Sequence, residues 1–257
     1  MISIPLPGGR GMPALGLGTW QLRGGACERA VRTALELGYR HIDTAEMYGN
    51  EAEVGAAIRA AGVDRADLFI TTKVWPDHFR APALRRAAED SLRRLGTDHV
   101  DLLLLHWPNP AIPLAEPIGA LDALHDEGKA LAIGVSNFDA ALLKEAQALA
   151  RAPIACDQVR MHVQSPQREL LAHARSQGIA VTAYSPLGQG GLRDHPTLAR
   201  IGARHGRTAA QVALRWILQH EGVAAIPKAS GEKHLRENLD VFSWSLDDAE
   251  MAEIASA

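Results

Sequence analysis

Residues able to do acid–base chemistry recur at one kind of place in this 257-residue chain, the end of a short apolar run. Asp43 ends the run RHID-T and Tyr48 follows it within a Gly/Asn turn; Lys73 closes LFITTK; His106 nearly closes DLLLLHW. Ser136 and Asn137 end ALAIGVSN, Gln158 ends IACDQ, Tyr184 ends IAVTAY, and Lys228 follows VAAIP. Singly, each has an ordinary structural use: a carboxylate bonds turn amides, a lysine reaches to solvent, a Ser-Asn pair caps a helix. Jointly, a carboxylate, a phenol, a cation and an imidazole can move a proton and steady a developing negative charge, provided that they meet in space. A cation taken out of water needs a partner, so Asp43 is expected as the buried counter-charge that holds Lys73.

The pattern around these residues says what could bring them together. After an opening hairpin signal, with turn residues Gly8, Gly9 and Gly11, apolar runs at 14–19, 40–44, 68–73, 101–107, 130–137, 154–158, 179–184 and 223–227 alternate with helix-period segments. Two of those segments, ACERAVRTALELG and APALRRAAEDSLRRLG, end at the glycine expected just past a helix C-terminus. Strands covered by helices on both faces form a parallel sheet, either closed as a barrel or open and doubly wound. The glycines of GLGTW and GQGGLR lack the third member of the Rossmann spacing, which favours the barrel. The expectation is one α/β domain over residues 1–257, a (β/α)8 TIM barrel with a short N-terminal β-hairpin, whose strand C-terminal ends carry the site.

Composition narrows the partners. With 47% hydrophobic and 22% charged residues and a net charge of −3, the chain offers no basic face to nucleic acid or anionic lipid. Its two cysteines, Cys27 and Cys156, lie far apart in helix and strand segments and read as packing residues of a reduced interior. The 11 histidines are dispersed, without a metal-binding run, and no apolar stretch is long enough to span a bilayer. A soluble, cytoplasmic monomer without metal is expected, acting on a small molecule.

The stretches GLGTW, HIDTAEMYGNE, TTKVW, LLLLHWP, IGVSNF, AYSPLG and IPKAS, in this order across nearly the whole chain, resemble the aldo-keto reductase superfamily. The likeness is strongest to its bacterial 2,5-diketo-D-gluconate reductase-like members. The resemblance implies an oxidoreductase of the EC 1.1.1 class that reduces aldehydes and ketones, including α-keto and dicarbonyl compounds, with NADPH bound in extended form on the barrel. It implies a catalytic tetrad of Asp43, Tyr48, Lys73 and His106, with Tyr48 as general acid. A cation beside a phenol favours phenolate, which would ease proton donation at neutral pH. Ser136, Asn137 and Gln158 would hold the nicotinamide carboxamide, Tyr184 would stack on the ring, and Leu187, Lys228, Ala229, Ser230, His234, Glu237 and Asn238 would line the phosphates, ribose and adenine. Trp20, Met47, Trp75 and Trp107, with His106, read as the substrate wall.

Three departures from the family pattern qualify this. Asp157 stands where asparagine is common and Val163 where proline often follows the histidine, leaving the geometry after IACDQ open. Ala229 and His234 take the positions of a serine and a basic residue that grip the 2′-phosphate, with Ser230 and Arg236 as alternatives if the loop shifts. NADH should therefore be unusually well accepted, and because free imidazole titrates at about 6.5 the preference for NADPH should fade above neutrality. The chain also ends soon after its last helix signal, without the tail that folds over the mouth in many members, so an open and permissive pocket is expected. The competing reading is a nicotinamide-binding barrel that serves as a redox-sensing subunit with little turnover.

Overall fold

The structure, a computed structural model, describes residues 2–7 and 11–257. Strands β1 (Ser3–Pro5) and β2 (Gly11–Pro13) pair antiparallel as the expected hairpin. Gly11 opens β2 rather than sitting in the turn, and Gly8 and Gly9 lie outside the described residues. The hairpin covers one end of the barrel, with Met12 wholly buried and its sulfur 3.8 Å from Thr182 Oγ1.

Eight parallel strands follow: β3 (Leu17–Gly18), β4 (His41–Asp43), β5 (Phe69–Val74), β6 (Leu102–Leu105), β7 (Ile133–Ser136), β8 (Ile154–Arg160), β9 (Ala180–Tyr184) and β10 (Val223–Ala225). Each pairs with the next, and the sheet closes on itself where Gly16 N–H donates to Ala225 O at 2.9 Å and Ala225 N–H to Ala14 O at 2.8 Å. Gly18 is required at that seam, since a Cβ there would come within 2.5 Å of Ile226 O. The strands are buried along nearly their whole length, which is why LLLL in β6 shows no alternation: one face fills the barrel and the other meets the helices.

The helices are α1 (Gly24–Glu36), α2 (Glu51–Ala61), α3 (Ala81–Leu95), α4 (Ala115–Asp126), α5 (Ala140–Leu149), α6 (Arg168–Gln177), α7 (Pro196–His205), α8 (Ala209–Leu218), α9 (Glu232–Leu239) and α10 (Asp248–Ala255). α3 shows how sequence sets their packing: Leu84, Ala87, Ala88, Ser91, Leu92 and Leu95 recur at helical spacing and form its buried face. Each leucine so buried contributes about 1.5–3 kcal/mol relative to exposure. α3 stops at Gly96, in the left-handed conformation at φ 71°. Among the described residues no helix is long and apolar enough to cross a membrane.

Candidate active site

Asp43 ends β4, and its register partner across the sheet is Thr71 of β5. Lys73 lies two residues beyond Thr71, so strand alternation puts its side chain on the same inward face, one layer nearer the mouth. Lys73 Nζ is wholly buried and donates to Asp43 Oδ1 at 2.6 Å and to Thr44 O at 2.8 Å. Its third neighbour is Tyr48 Oη, 3.3 Å away, and the ammonium also stands 4.8 Å from the centroid of that ring. Tyr48 arrives on a short 3-10 turn, Glu46–Tyr48, that ends at Gly49 with φ 62°. Asp43 Oδ2 accepts from Gln158 Nε2 at 2.7 Å, so both carboxylate oxygens are engaged.

The electrostatics follow from burial and contact. Burial alone would lower the Lys73 pKa, but Asp43 and Tyr48 outweigh it and hold the ammonium above its ordinary range. For Tyr48 the balance corrects the sequence expectation: burial raises the phenol's pKa, Lys73 lowers it, and the net direction is up. The tyrosine is thus kept as the neutral O–H, beside the cation that would stabilise the phenolate once the proton leaves. Burial, helped by Lys73, lowers His106 to about 3, which leaves it a neutral imidazole. Its ring lies 5.6 Å from that of Tyr48 and 5.2 Å from that of Trp75, and its Nδ1 has no hydrogen-bond partner.

The predicted aromatic wall is assembled unevenly. Trp20 packs on Tyr48 at 4.9 Å between centroids and Trp75 packs on His106, bringing two tryptophans to the tetrad. Trp107 and Met47 follow β6 and β4 at the same end and are exposed, at 44% and 37%.

At the ends of β7, β8 and β9 a second polar group gathers. Ser136 Oγ donates to Gln158 O at 2.7 Å, and Asn137 Nδ2 donates to His106 O and to Ser136 Oγ, both at 3.0 Å. Asn137 Oδ1 accepts from Tyr184 Oη at 2.8 Å. Asn137 (φ 63°) and Ser185 (φ 49°) are left-handed although neither is glycine, a cost of order 1–3 kcal/mol each that the surrounding bonds must offset. These side chains fit a planar carboxamide: Gln158, with its Nε2 committed to Asp43, keeps its Oε1, and Asn137 Oδ1 and Ser136 Oγ keep lone pairs.

The residues expected along the rest of a dinucleotide divide by exposure. Lys228, Ser230 and His234 are exposed, Leu187 and Glu237 are half-buried, and Ala229 and Asn238 are buried. His234 Nδ1 lies 2.9 Å from Glu237 Oε2 on α9. Arg236, the alternative basic residue, is bonded to Glu232 through Nε and Nη2 at 2.8 and 2.6 Å. After Gln158, β8 runs two residues beyond the predicted strand to Arg160, and Val163 is buried.

The profile of the Aldo/keto reductase family matches residues 14–257. The chain belongs to that family. Among solved structures this aldo/keto reductase is similar to one provisionally named 2,5-diketo-D-gluconic acid reductase B, with 47% identity, a TM-score of 0.94, and coverage of 95% of this chain and 87% of the other. It is 41% identical to glyoxal reductase of Bacillus subtilis (strain 168), over 98% of this chain and 91% of the relative. It is 40% identical to a methylglyoxal reductase of Escherichia coli, over 95% and 92%. Aldo/keto reductases reduce carbonyls to alcohols with nicotinamide cofactors, and the protein is an oxidoreductase of this kind.

Several supports of this aldo/keto reductase site were not read from sequence. Asn50 is buried, accepts from Thr44 Oγ1 at 2.8 Å and donates to Thr19 O and Leu22 O, fixing the turn that delivers Tyr48. Glu46 accepts from the Trp75 amide at 3.0 Å and pairs with His78 at 2.7 Å, tying the Tyr48 turn to the segment after β5. The signal was present in HIDTAEMYGNE, where three polar residues flank Tyr48, but their partners are set by chain closure across the barrel mouth.

Proposed function

We propose that the protein reduces aldehydes and ketones, including α-keto and dicarbonyl compounds, to alcohols with NADPH, and that Tyr48 is the general acid. The observation that carries this is the buried contact of Lys73 with both Asp43 and Tyr48 beside a neutral His106. When bound, a reduced nicotinamide would supply the hydride for the carbonyl carbon. As the C–H bond forms, the C=O electron pair moves to oxygen, and Tyr48 Oη gives its proton there, so that an alcohol leaves and a phenolate remains. Lys73 stabilises the phenolate, Asp43 fixes Lys73, and solvent returns the proton. His106 hydrogen-bonds the carbonyl oxygen and orients it, a role suited to a ring that stays uncharged.

Ser136, Asn137 and Gln158 would hold the carboxamide of the cofactor, and Tyr184 would stack on its ring. Lys228 would neutralise the phosphates, and Leu187, Ala229, Ser230, Glu237 and Asn238 would line the remainder of the dinucleotide. Trp20, Trp75, Trp107 and Met47 form an apolar rim that suits varied small carbonyls, in keeping with the glyoxal and methylglyoxal reductases among its relatives. We read the chain as one barrel domain acting as a cytoplasmic monomer. Turnover of NADPH with a panel of aldehydes, an α-ketoester and methylglyoxal tests the reading; cofactor binding without turnover on any of them overturns it.

The same reading has NADPH used and NADH accepted unusually well. Glu237 competes with a 2′-phosphate for His234, and Glu232 occupies Arg236, which leaves this corner short of a committed cation. His234→Arg should raise the ratio of NADPH to NADH affinity by about tenfold through a charge-assisted contact. A strong rejection of NADH that the substitution leaves unchanged would contradict this assignment.

A further inference from the structure

Asp157 precedes Gln158 on β8, and by strand alternation its side chain points away from the barrel interior, toward the helix layer. It is 0% exposed, and neither carboxyl oxygen has a hydrogen-bond partner. Its register partners are Val135 of β7 and Val181 of β9, and the buried face of α5 is Ala140, Leu143 and Ala146, all apolar. The groups that act on its charge are the Phe138 amide, which favours the anion without closing a well-formed hydrogen bond, and the Asp139 carboxylate, which disfavours it. Asp157 in turn acts on the neighbouring Cys156 thiol, which burial pushes up to about 12. Burial dominates and holds the Asp157 carboxyl well above the usual carboxylate range.

The segment directly over this group is the turn Ser136–Asp139. Asn137 N–H donates to Gln158 O at 3.0 Å, so the turn rests on β8 one residue from Asp157, and Asn137 is the left-handed residue that joins His106, Ser136 and Tyr184. A carboxylate formed at Asp157 would be a buried charge with no cation, and it must then capture an amide or admit water. The nearest amide belongs to Phe138, next to Asn137.

We propose that Asp157 is a positioning residue for the nicotinamide end of the cofactor site: as the neutral acid it leaves the Ser136–Asp139 turn in the seat where Asn137 joins His106, Ser136 and Tyr184, and as the anion it captures the Phe138 amide and draws Asn137 out of that seat. This rests on the cofactor reading above. Its consequence is a loss of cofactor affinity with rising pH that comes from the protein and not from the ligand.

NADPH binding, followed by fluorescence between about pH 7 and 9.5, isolates the effect, since free imidazole and the 2′-phosphate have already titrated below that interval. The wild-type Kd should rise by about fivefold or more across it, while Asp157→Asn should bind as tightly as wild type at pH 7 and change by less than about twofold. Asp157→Leu also removes the charge and should flatten the profile in the same way, which keeps the test open if the asparagine variant folds poorly. A purely structural role would raise the thermal midpoint of the variants without altering the slope of Kd against pH. Superimposable wild-type and Asp157→Asn profiles overturn the inference while leaving the cofactor reading intact. Failure of the wild type to bind NADPH at pH 7 overturns both.

Discussion

Lys73 is the residue on which the site's charges depend, and replacing it separates its two roles. In Lys73→Met, Asp43 stays buried with the Gln158 amide as its remaining side-chain partner, and breaking a buried pair in this way costs about 3–5 kcal/mol. The variant should unfold at lower denaturant than wild type at pH 8; equal midpoints would contradict the pairing. His106 makes a second residue-scale prediction. Its folded pKa, about 3, lies below that of free imidazole, so between about pH 6.5 and 3 unfolding takes up a proton and the stability held by the neutral ring is lost as pH falls. Nitrogen chemical shifts of His106 should be those of a neutral ring at pH 5, and a midpoint above 5 would contradict it.

The elements place these residues through register and closure, and here sequence was legible to different depths. Eight apolar runs with polar ends were enough to expect eight strands and a site at their C-terminal ends, because period and burial are local properties of a chain. Strand limits were less legible: the run 14–19 keeps only Leu17–Gly18 as strand, since closure against Ala225 and Pro227 replaces the ordinary ladder there. The Asp43–Lys73 pair could be expected from the cost of a lone buried charge. The second bond of Asp43, to Gln158, spans 115 residues and depends on barrel diameter, which no local pattern encodes. The net upward shift of Tyr48 was likewise hidden, because it depends on how completely the Trp20 and His106 rings cover the phenol. Closure has its own test. Gly18→Ala sets a Cβ against the Ile226 carbonyl at the β3–β10 seam and should cost about 1–3 kcal/mol in chemical unfolding. An unchanged midpoint would mean that the seam yields freely.

For the whole molecule, the proposed function has one barrel mouth gather a proton donor, its cation and a cofactor platform, each held by different strands. Proton donation and cofactor binding are then separable, because Tyr48 comes from the turn after β4 whereas the polar platform comes from β7, β8 and β9. Tyr48→Phe tests this most directly, since it keeps the ring that packs between Trp20 and His106 and removes only the hydroxyl beside Lys73. Measured together on the purified variant, the NADPH Kd should stay within about threefold of wild type while kcat for aldehyde reduction falls by about 10²–10⁴-fold. Near-normal turnover with unchanged cofactor binding would contradict the account and require another proton donor at this mouth.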